Sequence, residues 1–296
     1  MGKWTRRGFI TAGTVAGGAL VVGVAIRPGN RVDQLTPLVA DGEEQLVNAF
    51  VKISPDNSVT AIVPHAEMGQ GVHSALAQMV ADELGADWAQ VSVMEAPGVP
   101  EYANFALAKG FLLGDADVPE WLVPSIDGTF LKLTALMDLQ ITGGSTSVQA
   151  TGVYGMRVAG AAARELLIEA AANSWSVPVG EVVINQGVIR HAASSREAPM
   201  VEFAAAAAQL SPPANPRLKQ PEEFTIMGES KPRLDIPAKV DGSARFGIDV
   251  MLPDMKYAAV YGSPVFGGSV SSIDDTAARA MPGVRDVINL DNAVAV

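Results

Sequence analysis

The 296-residue sequence contains no cysteine. It therefore excludes disulfides, thiolate zinc sites, cysteine-ligated iron–sulfur clusters and a cysteine nucleophile. Positive charge is scarce: the chain has 21 Lys and Arg and 32 Asp and Glu, which gives a formal net charge of −11. This balance argues against a nucleic-acid partner. Hydrophobic residues still make up 48% of the chain, which is enough for the packed cores of one large or two ordinary domains.

The first 26 residues are typical of an export signal. Lys3, Arg6 and Arg7 precede an uncharged stretch, 8–26, that is rich in Gly, Ala, Thr and Val. The paired arginines resemble a twin-arginine signal, which directs folded proteins across the bacterial inner membrane. An uncleaved anchor is the alternative, although a span needs about 20 strongly apolar residues. We predict a periplasmic protein, or one anchored in the inner membrane and facing the periplasm.

Strand-like and helix-like segments alternate after the signal. The strand-like runs are 46–53, 59–63, 91–94, 181–185 and 188–191. The helix-like segments are 74–84, 130–139, 152–174 and 201–210. Gly85 predicts the end of the first helix, and Gln186-Gly187 between the last two strand-like runs predicts a hairpin. Small residues crowd the helix predicted at 152–174, which indicates that it is buried and closely approached by other backbone. The proline-broken segment 97–140 is long for a loop, so we expect it to be functional or ordered against a partner.

We divide the chain into a domain at 31–210, a Pro-rich linker at 211–229 and a partial domain at 230–296. In the last part, strand-like runs at 246–250, 257–261 and 287–290 accompany a short helix at 276–281. The sequence stops inside an apolar, strand-like run. We therefore expect it to be a fragment of a longer chain.

Two glycine-rich elements carry the candidate binding residues. Each places Gly, Ser or Thr directly before a predicted helix, where free backbone N–H groups and the helix dipole favour anionic oxygens. The candidate cofactor-binding residues are Gly69, Gln70, Gly71, Gly144, Ser145, Thr146 and Ser147. Ordinary helix capping explains such residues as well. Neither element matches a phosphate loop or a dinucleotide fingerprint.

Three polar residues flank the first element. His65 and Glu67 could form a metal pair, but a third ligand is lacking and the spacing is not helical, so the pattern favours a structural role for them and for His73. No serine stands in a nucleophile-elbow pattern. We therefore assign no catalytic residue and no metal ligand.

Three sequence blocks resemble the xanthine dehydrogenase/aldehyde oxidase family of molybdenum hydroxylases, in particular the large (beta) subunit of isoquinoline 1-oxidoreductase-type enzymes. The first block is 67–73 with its helix and 84–88. The second is 142–147 with its small-residue helix. The third, Arg233-Leu234-Asp235-Ile236-Pro237 and onward to Met255, resembles the start of the family's α/β hammerhead domain.

The resemblance implies an α+β fold, in which a mixed α/β molybdopterin-binding domain is followed by the start of a hammerhead domain. It implies a molybdopterin cofactor with molybdenum, as the cytosine dinucleotide, held by the two glycine-rich elements. It implies hydroxylation of an N-heteroaromatic or aldehyde substrate with oxygen from water. Electrons would leave through a small [2Fe–2S] subunit, with a cytochrome as a further candidate acceptor.

The sequence departs from the family in one respect. The second large molybdenum-binding portion, with the family's glutamate base, is expected beyond residue 296. Two alternatives stay open from the residues alone. One is an exported, non-catalytic binding or assembly module that keeps the loops without the chemistry. The other is a cofactor-free periplasmic hydrolase, which the missing nucleophile motif disfavours.

Overall fold

The computed structural model of the chain describes residues 31–139 and 144–296. The predicted export signal at 1–26 lies outside these residues. Contacts between residues divide the described chain into a first unit that ends at Pro237 and a second unit, Ala238–Val296. The family's α+β fold is confirmed, since both helices and sheets build the first unit.

The main sheet of the first unit follows the strand order β1-β2-β3-β4. Its strands are β1 (Gln45–Asn48), β2 (Val51–Ile53), β3 (Val59–Val63) and β4 (Val91–Glu95). Neighbouring strands are antiparallel except β3 and β4, which are parallel and joined by a helix. The chain therefore contains a β-α-β unit, and the first glycine-rich element connects its first strand to its helix.

The predicted single strand at 46–53 is wrong, because β1 and β2 form a tight hairpin. The Asn48 side-chain oxygen accepts a hydrogen bond from the Phe50 N–H at 3.0 Å, which closes an Asx-type turn between the strands. The Asn48 side-chain amide also donates to the Ala159 carbonyl at 2.9 Å. Asn48 thus turns the chain and fastens the hairpin to the helix behind it.

The helices of the first unit are α1 (Arg31–Val39), α2 (Val72–Leu84), α3 (Phe105–Leu113), α4 (Val123–Leu136), α5 (Ser145–Thr151), α6 (Arg157–Trp175) and α7 (Val201–Ala207). A π-helical turn, Gly152–Met156, joins α5 to α6. Gly85 ends α2 in the left-handed conformation, as its position predicts. The unit's core lies between the main sheet, α2 and α6.

Segment 97–140 is more helical than predicted. We expected one or two turns at 130–139, whereas α3 and α4 both form. Asn104 caps α3 by accepting the Leu107 N–H at 3.1 Å. Pro124 stands in the first turn of α4, where a missing N–H costs nothing. Proline therefore marks the start of a helix here rather than a loop.

A second sheet follows α6. It contains β5 (Val182–Asn185), β6 (Val188–His191) and β7 (Arg196–Pro199), all antiparallel to their neighbours. The predicted hairpin at Gln186-Gly187 is confirmed, with both turn residues at positive φ. The turn touches the main core, because the Gly187 N–H donates to the Gly85 carbonyl at 2.9 Å.

The second unit contains three short strands. They are β8 (Val260–Gly262), β9 (Ile288–Asn289) and β10 (Ala293–Ala295), in the order β8-β10-β9. Helix α8 (Ile236–Asp241) spans the boundary between the units, and α9 is Thr276–Arg279. The predicted strand at 246–250 is wrong, because a 3₁₀ turn occupies Gly247–Asp249 and the Asp249 carboxylate accepts the Phe246 N–H at 3.0 Å.

Within the described ranges, no helix has both the length and the apolar character needed to cross a membrane.

Candidate functional site

The first glycine-rich element is a loop of residues 64–71 at the carboxyl end of β3. Gly69 has φ 99° and Gly71, which precedes α2, has φ 83°. These are left-handed conformations that glycine adopts with little strain. Ligands of α/β sheets bind preferentially beyond the carboxyl ends of strands, so this loop stands where a ligand is expected.

The Glu67 carboxylate lies beneath this loop and holds it. One of its oxygens accepts the N–H groups of Gly69 and Gly71, each at 2.9 Å, and the other accepts the His73 N–H at 3.2 Å. Burial disfavours the charged carboxylate, but these N–H bonds and the charge of Arg233 outweigh burial and lower the pKa of Glu67. The chain itself therefore supplies the negative charge that the start of α2 attracts.

This arrangement corrects one expectation. The sequence pattern predicts free N–H groups at Gly69 and Gly71, whereas both donate to Glu67. Gln70 is exposed, and its side-chain amide accepts the Met68 N–H and donates to the Ala66 carbonyl. One amide N–H and one acceptor lone pair of Gln70 take no part in these two bonds and remain for a ligand. Contact between these residues and a ligand stays a prediction.

The second glycine-rich element precedes α5. Gly144 has φ 89°, and a Cβ added to it would meet none of the described atoms within 4 Å, as is also true at Gly69. The backbone is thus open to close approach at both glycines. Residues 140–143 and the side chains of Ser145, Thr146 and Ser147 lie outside what the structure describes, so the predicted role of these hydroxyls stays a prediction.

Buried hydrogen bonds join the two elements. The His65 Nε2 lies 2.9 Å from the Thr151 hydroxyl at the end of α5, and the Asn104 amide donates to the same hydroxyl at 3.0 Å. The His73 Nε2 donates to the His65 carbonyl at 2.8 Å. These bonds are compatible with a structural role for both histidines, which stays a prediction. Across the described ranges, no three His, Asp or Glu side chains are grouped as metal ligands.

Arg233 is a site residue that the sequence pattern did not reveal. Its guanidinium donates to the Gly69 carbonyl at 2.8 Å and to the Glu67 carboxylate at 3.2 Å. Asp235 holds the same guanidinium through two bonds, at 2.6 and 2.9 Å. The Leu234 N–H donates to the Ser74 hydroxyl at 2.8 Å, which fixes this segment beside the first turn of α2.

Two adjacent carboxylates on α2, each with a fully buried side chain, fasten residues 219–227 to that helix. Asp82 accepts the N–H groups of residues 225, 226 and 227 at 3.0, 2.9 and 2.7 Å, and the Lys219 ammonium at 2.9 Å. Burial disfavours the charge of Asp82, but these bonds outweigh it and lower the pKa. Glu83 pairs with Arg157 at 2.6 Å and Arg164 at 3.3 Å. Part of the predicted linker thus lies against α2.

Comparison with known proteins agrees with this geometry. A family model described as a molybdopterin cofactor-binding domain matches residues 4–97, which include the first glycine loop and α2. The chain is also 32% identical, over 99% of its length, to the beta subunit of isoquinoline 1-oxidoreductase from Brevundimonas diminuta. Residues 4–97 therefore match the molybdopterin cofactor-binding domain family, and almost the whole chain is similar to this beta subunit.

Two further relatives extend the comparison. A membrane-bound aldehyde dehydrogenase of Gluconacetobacter polyoxogenes, named for pyrroloquinoline quinone, is 29% identical over 97% of the chain. The B subunit of nicotinate dehydrogenase from Pseudomonas putida is 27% identical over 90% of the chain. The chain covers 38%, 33% and 21% of the length of these three family relatives, in the order given.

Proposed function

We propose that this chain forms the molybdopterin-binding part of the large subunit of a molybdenum-dependent oxidoreductase. The observation that carries the proposal is the exposed glycine loop before α2, which lies inside the residues that the molybdopterin-binding family model matches. The comparisons lend no support to a non-catalytic module.

The residues of the loop fit such a cofactor. Molybdopterin offers polar ring edges and phosphate oxygens, and when bound it supplies a redox-active molybdenum centre. Gln70 would bind a ring edge through its remaining amide N–H and lone pair. The open backbone at Gly69 and Gly144 would admit the cofactor closely. The hydroxyls of Ser145, Thr146 and Ser147, assigned from the sequence, would bond phosphate oxygens.

The electrostatics of the loop bear on where the anionic groups of a ligand can lie. Glu67 places a negative charge under the loop, but its side chain is only 6% exposed and Arg233 lies beside it. Its oxygens accept three backbone N–H groups and the Arg233 guanidinium, so a ligand at the outer face of the loop would not contact them directly. Because Glu67 already occupies the positive end of the α2 dipole, the anionic groups of the cofactor are expected at the second glycine-rich element.

Finer features belong to the same proposal. The cofactor is the cytosine dinucleotide form, and the substrate is an N-heteroaromatic compound or an aldehyde, in line with the names of the relatives. Electrons pass to a partner with [2Fe–2S] clusters, since this chain has no cysteine to ligate them. A cytochrome is a candidate final acceptor. The twin-arginine pattern supports export to the periplasm, free or anchored in the inner membrane.

The test is a cofactor analysis of the complete gene product, purified from its host with its partners. We expect stoichiometric molybdenum by mass spectrometry and a cytidine nucleotide released by acid. Replacing Gln70 with Ala should weaken cofactor retention by roughly fivefold, the value of one net hydrogen bond. The exposed Gln90, replaced in the same way, is the matched control.

Three outcomes would count against the proposal. Absence of both molybdenum and pterin would reject it. Pyrroloquinoline quinone in their place would favour the cofactor named for the aldehyde dehydrogenase relative. Equal retention in the Gln70 and Gln90 variants would remove Gln70 as a contact. Export is tested separately by replacing Arg6 and Arg7 with Lys, which should leave the protein in the cytoplasm.

A further inference from the structure

We propose that Glu67 and Arg233 are positioning residues that set the conformation of the loop 66–71, and that segment 233–235 thereby controls how firmly the chain holds its cofactor. The statement about the loop stands on geometry alone. The statement about the cofactor rests on the proposed function.

The loop needs an external constraint. It contains two glycines at positive φ, and glycine loses more conformational freedom on ordering than any other residue. None of the strands in the described ranges pairs with residues 66–71. The Glu67 carboxylate instead collects three N–H groups of the chain that follows it, from Gly69, Gly71 and His73. One side chain therefore fixes the loop from inside.

Arg233 closes the loop from the opposite side. Its guanidinium donates hydrogen bonds to the Gly69 carbonyl and to the Glu67 carboxylate. Arg233 thus contacts both the backbone of the loop and the side chain that holds it. A Cβ added to Gly71 would come within 3.8 Å of the same guanidinium. Asp235 aims the guanidinium through two hydrogen bonds. The planar guanidinium thus donates to three groups in a fixed geometry, which the single ammonium of a lysine cannot reproduce.

Burial makes these contacts consequential. The side chains of Glu67 and Asp235 are 6% and 11% exposed, and that of Arg233 is 32% exposed. Removing Arg233 would leave two nearby carboxylates without this shared cation. Repulsion between the two carboxylates would push Glu67 away from the N–H groups that donate to it. A loop freed in this way must be ordered again on binding, which weakens the affinity for any ligand that it contacts.

The test combines local hydrogen exchange with cofactor content in the purified holoenzyme. Arg233→Gln removes the cation, Arg233→Lys keeps the charge without the fork, and Glu67→Gln removes the anchoring charge. Arg190→Gln is the control, because it deletes an exposed ion pair, between Arg190 in β6 and Glu197 in β7, away from the loop. The amides of Gly69, Gly71 and His73 are followed by exchange mass spectrometry, together with those of α6 and of α2 after His73.

We expect exchange of the loop amides to accelerate about ten- to hundredfold in Arg233→Gln, the range of a lost charge-assisted hydrogen bond. Arg233→Lys should recover part of the protection and part of the molybdenum content, whereas α6, the part of α2 after His73 and the control should be unchanged. Loop exchange in Arg233→Gln equal to that of the control would overturn the positioning role, as would acceleration spread evenly over α2 and α6. If the wild-type protein contains neither molybdenum nor pterin, the proposed function fails instead, and the exchange of the loop amides still decides the positioning role.

Discussion

Close packing of α2 on α6 depends on Gly160 having no side chain. A Cβ at this position would lie 2.6 Å from the Val80 carbonyl oxygen, 2.9 Å from the Glu83 Cβ and 3.1 Å from the Val80 Cα. These atoms are backbone or attached directly to it, so only a movement of α2 can relieve the contact. We predict that Gly160→Ala lowers the free energy of unfolding.

The magnitude follows from two opposing terms. Alanine favours a helix over glycine by about 1 kcal/mol. Overpacking a close-packed site costs about 1–3 kcal/mol. The upper part of that range applies here, because moving α2 also draws Glu83 away from Arg157 and Arg164, and breaking such a buried pair completely costs about 3–5 kcal/mol. We expect a net loss of about 2 kcal/mol.

Urea unfolding followed by tryptophan fluorescence measures this loss. Trp175, at the end of α6, packs edge-on against Phe203 with ring centroids 5.2 Å apart, so it reports on this helix. Gly180→Ala is the matched control, since a Cβ there would meet nothing within 4 Å. The control should change stability by less than about 0.5 kcal/mol. A Gly160→Ala protein as stable as the wild type would refute the close approach of the two helices.

Three further predictions concern other buried groups. Asp82→Asn should lower the free energy of unfolding by about 3 kcal/mol, because the Lys219 ammonium then faces a neutral amide. Limited proteolysis should cut the variant at 217–229, and an unchanged cleavage pattern would contradict this. Folding lowers the pKa values of Asp82 and Glu67. Both carboxylates therefore stabilise the fold fully above about pH 4, the unfolded value, and this stabilisation is lost as pH falls through the folded values. The free energy of unfolding should consequently fall less steeply with decreasing pH in Asp82→Asn than in the wild type. Tyr102→Phe should stabilise by about 1 kcal/mol in urea, because the buried Tyr102 hydroxyl bonds to none of the described residues, whereas a loss of stability would reveal a partner.

Local patterns predicted those parts of the fold that depend on neighbouring residues. The strand at 59–63, the stop at Gly85 and the turn at Gln186-Gly187 each follow from a period or from a glycine that fits a left-handed position. The burial of α6 follows from its small residues, and the Gly160 contact gives the reason. The prediction of one strand at 46–53 was wrong because the hydrophobic pattern continues through the turn that the Asn48 side chain closes.

The candidate site was predictable only in part. Glycine and serine before helices pointed to both loops, but the pattern did not reveal that Glu67 uses the N–H groups of the first loop. Arg233 and Asp82 act on residues 164 and 145 positions away, at Gly69 and Met227. Contacts between such distant residues leave no spacing that a single sequence displays. In the sequence of α2, only the adjacent acids Asp82 and Glu83 among apolar residues indicate that this helix has charged partners.

The two buried carboxylates of α2 also bear on the order in which the chain assembles. A ribosome releases Asp82 and Glu83 well before Arg157, Arg164, Lys219 and the amides of residues 225–227. Until those residues emerge, burial of α2 against the sheet would strand two uncompensated charges. The nascent N-terminal half is therefore held short of its final packing, and docking of α2 becomes a late, long-range step. During this interval the undocked helix would stay accessible to chaperones and proteases.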